Sequence, residues 1–325
     1  MPALNKIFSK YTGQLRSLRM VYYINNFLNL RKLRHNEKLY KKYGLEKSIF
    51  GSINSSDFKI SQGEIPWLDR PDAHEALTAH PDFKNFDTAT QQQLIQWIDK
   101  GYIILKGFYS EAEVDELNGE VQRLLDKQKA DFNYTGRKIM DAHEMSAIVD
   151  KYFRYPRLIE LMNFIMGKKI HPFQTINFRQ GSEQRAHSDS IHMTSEPKGY
   201  LIASWAALQD CHEDNGLLFY YPGSHKLPYI MSDDFDSGHT QWRLGNNAYK
   251  KYEDKIAEVI QKHNFEKEHF YAKKGDVLLW HANLIHGGSP IKEAGSTRHS
   301  MVSHYFCEDV ICYHEISQRP AMLKK

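Results

Sequence analysis

IHPFQTINFRQGSEQRAHSDSIHMTSEPKGYLIASWAAL, residues 170–208, is the stretch on which the architecture turns. Its two ends, Ile170–Arg179 and Tyr200–Leu208, are rich in β-branched, aromatic and aliphatic residues and read as strands separated by polar turns. The same texture recurs at Gly216–Tyr221, Gly275–Trp280 and Arg298–Phe306, each bounded by Gly, Pro, Asn or Asp. Short strands at this spacing predict a sandwich or barrel. Upstream of Gly167 the pattern is helical instead. A helix over 91–100 is stopped by Gly101, and a four-residue strand follows at 102–105. Ser110 and Glu113 form a capping-box pattern ahead of a helix over 111–129, and another helix covers 155–166. The expected fold class is mainly β with flanking helices (α+β).

Composition sets limits around that core. At 325 residues with 41% hydrophobic and 13% aromatic content, the chain can bury a sizeable interior and is not a disordered polymer. Its net charge of +3 conceals an asymmetry: residues 1–47 carry eleven Lys/Arg against Glu37 and Glu46, leaving +9 there and about −6 elsewhere. A mildly acidic body argues against a nucleic-acid groove. The basic stretch 1–47 reads as an amphipathic helical arm with Leu15, Leu18, Tyr22 and Leu33 on its apolar face. Such an arm either docks on the body with a solvated basic face or makes peripheral contact with an anionic membrane. Residues 48–89 read as an irregular approach segment, and the main domain as 90–325. An insertion near 233–269 with a helix over 248–263 is of the size that often serves as a lid. Three cysteines and no long apolar run suggest a reducing, cytoplasmic setting.

Chemistry enters with His-x-Asp. Among 17 histidines roughly one such triplet is expected by chance, and the chain has three, at His80/Asp82, His187/Asp189 and His212/Asp214. The first straddles a proline in the approach segment, and the third belongs to the turn Asp214-Asn215-Gly216. The second follows a strand, where residues two apart face one side, so His187 and Asp189 can converge on a metal. A second imidazole, from His281 or His286, would complete the two-His, one-carboxylate set of mononuclear non-haem iron(II) centres. Strand alternation puts His281 with Val277 and Leu279, whereas His286 opens a new strand. His225, in the turn Pro222-Gly223-Ser224-His225, reads as a turn residue capping nearby backbone.

Taken together, Gly101–Phe108, Ala186–Asp189, Trp205–Leu208, Asn215-Gly216, Pro222–Lys226, Gly275-Asp276, Trp280-His281 and His286–Gly288 resemble the phytanoyl-CoA dioxygenase family of Fe(II)/2-oxoglutarate-dependent oxygenases over about 101–308. The resemblance implies a double-stranded β-helix (jelly roll) core. It assigns the metal ligands to His187, Asp189 and His286. It implies that Arg298 and Ser300 bind 2-oxoglutarate, with Trp205 lining that pocket. A planar guanidinium suits a carboxylate bidentately. The implied reaction takes Fe(II), 2-oxoglutarate and O2 and hydroxylates an unactivated C–H bond of a small-molecule or lipid-like substrate. Asp189 argues against halogenation, since related halogenases carry a small residue there. Desaturation, rearrangement and epimerisation use the same triad. The alternative of another class is a non-catalytic jelly-roll module that binds a metal or ligand. Substrate contacts are expected from the insertion at 233–269 and from Ser190–Lys198.

Overall fold

Two antiparallel sheets face one another across an apolar interior, with helices packed on the outer face of the larger one. The computed structural model describes residues 17–58, 64–133 and 136–323. In chain order its helices are α1 (Arg19–Leu28), α2 (Leu30–Leu33), α3 (Asn36–Lys42), α4 (Ala73–Ala79), α5 (Thr88–Lys100), α6 (Glu111–Asp126), α7 (Ala147–Phe153), α8 (Pro156–Met166) and α9 (Ala248–His263). The strands are β1 (Tyr102–Leu105), β2 (Lys138–Met140), β3 (Ile170–Phe178), β4 (Thr194–Glu196), β5 (Leu201–Ala207), β6 (Leu218–Tyr220), β7 (Glu268–Phe270), β8 (Val277–His281), β9 (His286–Gly288), β10 (Ser300–Cys307), β11 (Ile311–His314) and β12 (Arg319–Pro320).

The larger sheet has the order β1-β8-β5-β10-β3-β2 and the smaller β7-β6-β9. Every pairing is antiparallel. Its register lines up one residue from each strand, Ile104, Leu278, Trp205, Val302, Ile176 and Met140, in a single row. All six pack in the cluster between the sheets, where Leu218, Tyr220 and Phe270 meet them from the smaller sheet. The alternate residues Val277, Leu279, Ala206 and Met301 face the opposite way and join the helices in the largest core. This two-residue alternation is what a sheet buried on both faces demands. The two facing sheets, with these strand orders, form the jelly roll that the family resemblance implied. A third small sheet, β12-β11-β4, closes one end.

Local signals behave as their chemistry requires. The Ser110 hydroxyl accepts from the Glu113 amide while the Glu113 carboxylate accepts from the Ser110 amide. Gly101 stops α5 in a left-handed conformation. A Cβ there would stand 2.5 Å from the His225 ring, so only glycine fits.

Two expectations are corrected. The described residues of 48–89 are not irregular throughout: they contain α4 and short 3₁₀ turns, and Leu68, Ala73, Leu77 and Phe83 are buried in the main core. The insertion is not a lid over the interior. On α9, Tyr252 and Ile256 pack against Phe219, Tyr221 and Ile285 on the outer face of the smaller sheet.

Candidate metal centre and its cavity

His187 and His286 lie side by side across the edge of the smaller sheet. Each backbone amide donates to the other residue's carbonyl at 2.9 Å, so a bridge at His187 extends the sheet beyond β9. Asp189 opens a short 3₁₀ turn, Asp189–Ile191. Thus His187 and Asp189 converge at a strand-to-turn transition rather than along the regular strand that the sequence suggested. One ligand atom from each of His187, Asp189 and His286 lies within 4.8 Å of the others, and all three residues are buried.

The second layer of contacts sets the tautomers. His187 Nδ1 lies 2.8 Å from the Arg185 carbonyl, and His286 Nδ1 lies 2.9 Å from that of Leu284. A carbonyl only accepts, so both Nδ1 atoms carry a proton and Nε2 is the ring nitrogen left to ligate at the centre. Gln184 Nε2 donates to the His187 lone pair at 3.1 Å and to the Tyr249 hydroxyl at 2.8 Å. Burial, reinforced by the adjacent His286, holds His187 well below the ordinary histidine range, which keeps it in the neutral form that ligates. For Asp189, burial alone would raise the carboxyl. The imidazoles of His286, His304 and His187 outweigh it and keep the group ionised below the usual Asp value. Trp280 Nε1 donates to Asp189 Oδ2 at 2.7 Å, and His304 Nε2 approaches the same oxygen at 3.5 Å. Oδ1 is left facing His286 Nε2 at 3.8 Å. Two imidazoles and one oriented carboxylate facing a common centre therefore suit a divalent transition metal, with positions left over for exogenous ligands.

The triad lines a cavity of about 760 Å³ that also takes in Trp205 and Arg298. Arg298 is 2% exposed. Its Nη1 donates to the Gly216 carbonyl, and its guanidinium lies 5.5 Å from the centre of the Trp205 ring. No carboxylate pairs with it among the described residues, and its Nε has no hydrogen-bond partner. Burial pushes its pKa down to about 10, as befits a desolvated charge lacking a counter-ion. Ser300, two residues on, is fully buried and its hydroxyl is also unpartnered. An uncompensated buried cation beside an unused donor is the environment a carboxylate ligand would complete.

Residues 97–300 match the family model described as Phytanoyl-CoA dioxygenase (PhyH). The chain belongs to the phytanoyl-CoA dioxygenase family. Among relatives in this family, peroxisomal phytanoyl-CoA dioxygenase of Bos taurus is 23% identical over 61% of this chain and 63% of its own length. The chain thus aligns with just under two thirds of that relative. Ectoine dioxygenase of Nocardia farcinica is 26% identical over 68% of this chain and 82% of its own. Solved structures share the fold. The carbocyclase SnoK from nogalamycin biosynthesis superposes with a TM-score of 0.56 at 15% identity, covering 74% of this chain and 89% of that one. EctD from S. alaskensis, solved with 2-oxoglutarate and 5-hydroxyectoine, gives 0.52 at 21% identity, covering 66% and 75%.

The other residues that drew attention in the sequence lie apart from the triad. His281, on the helix-facing side of β8, meets Asp69 Oδ2 at 3.1 Å and packs edge-on to Trp97. His80 caps a 3₁₀ turn through Nδ1, and His212 begins another. The buried His225 ring contacts backbone, with Nε2 3.3 Å from the Ile98 carbonyl. His192 and Met193 of the segment 190–198 line the cavity, whereas no described residue of the insertion does. Reading the sequence missed His304, Gln184 and the Trp280–Asp189 bond. His304 was within reach: it lies four residues after Ser300 on β10, so alternation puts both on the interior face.

Proposed function

We propose that this member of the family is an Fe(II)/2-oxoglutarate-dependent oxygenase that hydroxylates an unactivated C–H bond of a small organic substrate. The observation that supports it best is Arg298: a buried, unpaired guanidinium in the same cavity as a two-His, one-Asp set. In this reading His187, Asp189 and His286 hold iron through Nε2, Oδ1 and Nε2. Arg298, with the Ser300 hydroxyl, takes the distal carboxylate of 2-oxoglutarate, and Trp205 fixes the plane of the guanidinium. Bound iron(II) and 2-oxoglutarate supply the activation of O2 for oxidation of the substrate.

The chain's own part is positional. Trp280 and His304 hold Asp189 Oδ2 so that Oδ1 stays aimed at the centre. The neutral His187 releases no proton on metal binding, and the apolar walls from Phe178, Leu218 and Val302 limit water near the reacting atoms. Asp189 occupies the position a halide would need, which favours hydroxylation over halogenation.

Titration of metal-free protein with Fe(II) and 2-oxoglutarate without oxygen tests the proposal. The expected result is a weak visible charge-transfer band, absent in His187→Ala and weakened in Arg298→Ala. Iron binding without any band would overturn the co-substrate assignment and leave a metal-binding jelly-roll module. Product analysis against candidate substrates then separates hydroxylation from ring closure or epimerisation.

A further inference from the structure

Helix α1 is packed the wrong way round for a soluble protein. A surface helix normally turns its apolar stripe inward. In α1 the one fully buried residue is Asn26, which is 2% exposed and donates from Nδ2 to the Phe50 carbonyl at 3.1 Å, while Val21 and Tyr22 are half-buried. The apolar stripe points outward: Met20 is 64% exposed, Ile24 54%, Phe27 58% and Leu28 77%. These positions repeat at i, i+4, i+7 and i+8, so they form one continuous ridge. A second exposed apolar group adjoins it. Trp242, 69% exposed, sits in the insertion where its carbonyl accepts from the Arg19 amide at 3.1 Å and Arg243 bridges to Leu18. No helix is long and apolar enough to cross a membrane among the described residues.

We infer that the α1 ridge with Trp242 is a docking surface for an anionic lipid bilayer. Charge selects this occupant. Arg31, Lys32 and Arg34 follow the ridge in the chain and Arg243 bridges to Leu18 ahead of it; all four are exposed, and none has an ion-pair partner among the described residues. Residues 1–47 total +9. A Trp, Phe, Leu and Ile surface rimmed by Arg and Lys is what an interfacial helix needs to bury its apolar face among acyl chains while its cations meet lipid phosphates. A second copy of this chain fits less well, because two-fold pairing would press two strongly positive surfaces together.

The surface adjoins the site. Tyr22 and Asn25, on the side of α1 away from the ridge, line the same cavity as the metal triad. A chain lying on lipid through α1 thus brings its cavity to the bilayer, and its substrate is an amphiphile drawn from that surface. This extension rests on the oxygenase reading, whereas the docking itself does not.

The test is sedimentation of the full chain with vesicles of equal parts phosphatidylglycerol and phosphatidylcholine, and with phosphatidylcholine alone. The protein is expected to pellet with the anionic vesicles and to be released by high salt. Phe27→Ser with Leu28→Ser is expected to abolish pelleting. Arg31→Glu with Lys32→Glu weakens it by tenfold or more, at about fivefold per lost cation before the added repulsion. Leu28, Arg31 and Lys32 are exposed, and Phe27 gives up an edge-on contact with the Phe50 ring at 5.8 Å, so the thermal midpoint is expected to fall slightly while the protein stays folded. Absence of pelleting with anionic vesicles, or unaltered pelleting of the Phe27/Leu28 variant, would overturn the proposal. So would a dimer of the parent chain in light scattering that this variant converts to monomer, which would assign the ridge to self-association.

Discussion

Replacing Arg298 with leucine is expected to separate ligand binding from folding. The wild-type guanidinium donates to the Gly216 carbonyl and has no counter-ion among the described residues. Losing the bond to Gly216 leaves a buried carbonyl unsatisfied, at about 1–3 kcal/mol. Removing a desolvated charge that no acid compensates returns a similar amount. The net change in stability is therefore within about 2 kcal/mol. Binding has no such compensation. Truncating one partner of a buried charge pair costs roughly 2–5 kcal/mol, and 3 kcal/mol corresponds to about 150-fold in affinity. At 2-oxoglutarate equal to a hundred times the wild-type Kd, the ligand stabilises wild type by about 2.7 kcal/mol and the variant by about 0.3 kcal/mol. Urea denaturation of the iron-loaded protein under anaerobic conditions, with and without 2-oxoglutarate, reads both quantities. Equal ligand stabilisation of the two proteins would refute the assignment of Arg298. A variant destabilised by far more than 2 kcal/mol would refute the claim that its charge is uncompensated.

Other perturbations discriminate among residues that sequence alone left open. His286→Ala is expected to abolish stoichiometric Fe(II) binding in equilibrium dialysis. His281→Ala is expected to retain it and to lose about 1–3 kcal/mol of stability, because the Asp69 contact and the bond from the Asn283 amide to Nδ1 disappear. The opposite pattern would exchange their roles. Trp280→Phe keeps the ring but removes the 2.7 Å bond to Asp189 Oδ2, so iron affinity should fall about 10- to 100-fold, and unchanged affinity would mean that Asp189 is oriented by other groups. Acid stability follows from His225 and His314, which burial pushes down to about 3. Between about pH 6.5 and 3 the unfolded chain binds the more protons, so stability rises with pH and is lost on acidification, by about 1.4 kcal/mol per pH unit for each group. His225→Gln should remove one group's share of that slope in urea midpoints measured at pH 7, 5 and 4, and an unaltered slope would contradict it.

Much of the architecture is written in local patterns. Alternation along 170–179, 200–208 and 298–306 located β3, β5 and β10 to within two residues, because a strand buried on both faces needs β-branched and aromatic side chains regardless of its partners. Gly101, Gly167 and the Ser110/Glu113 box placed helix ends for equally local reasons, a left-handed backbone or a satisfied terminal amide. The short strands β4, β7, β11 and β12 were not legible, since pairings of two to four residues draw their stability from tertiary neighbours rather than from their own composition.

The candidate site divides the same way. Sequence alone determined that two imidazoles, a carboxylate and an arginine were present at spacings able to serve one metal and one dicarboxylate, because ligand chemistry depends on residue type. Strand alternation left His281 and His286 open and the family resemblance pointed to His286; the tertiary structure supplies the physical reason, since β8 turns His281 toward the helices while β9 sets His286 beside His187. It also decided that Arg298 has no acid of its own and that α1 turns its apolar ridge outward. Periodicity reports that a face is apolar; what covers that face, like the partner of a buried charge, is set by segments distant in the chain, and folding alone brings them together.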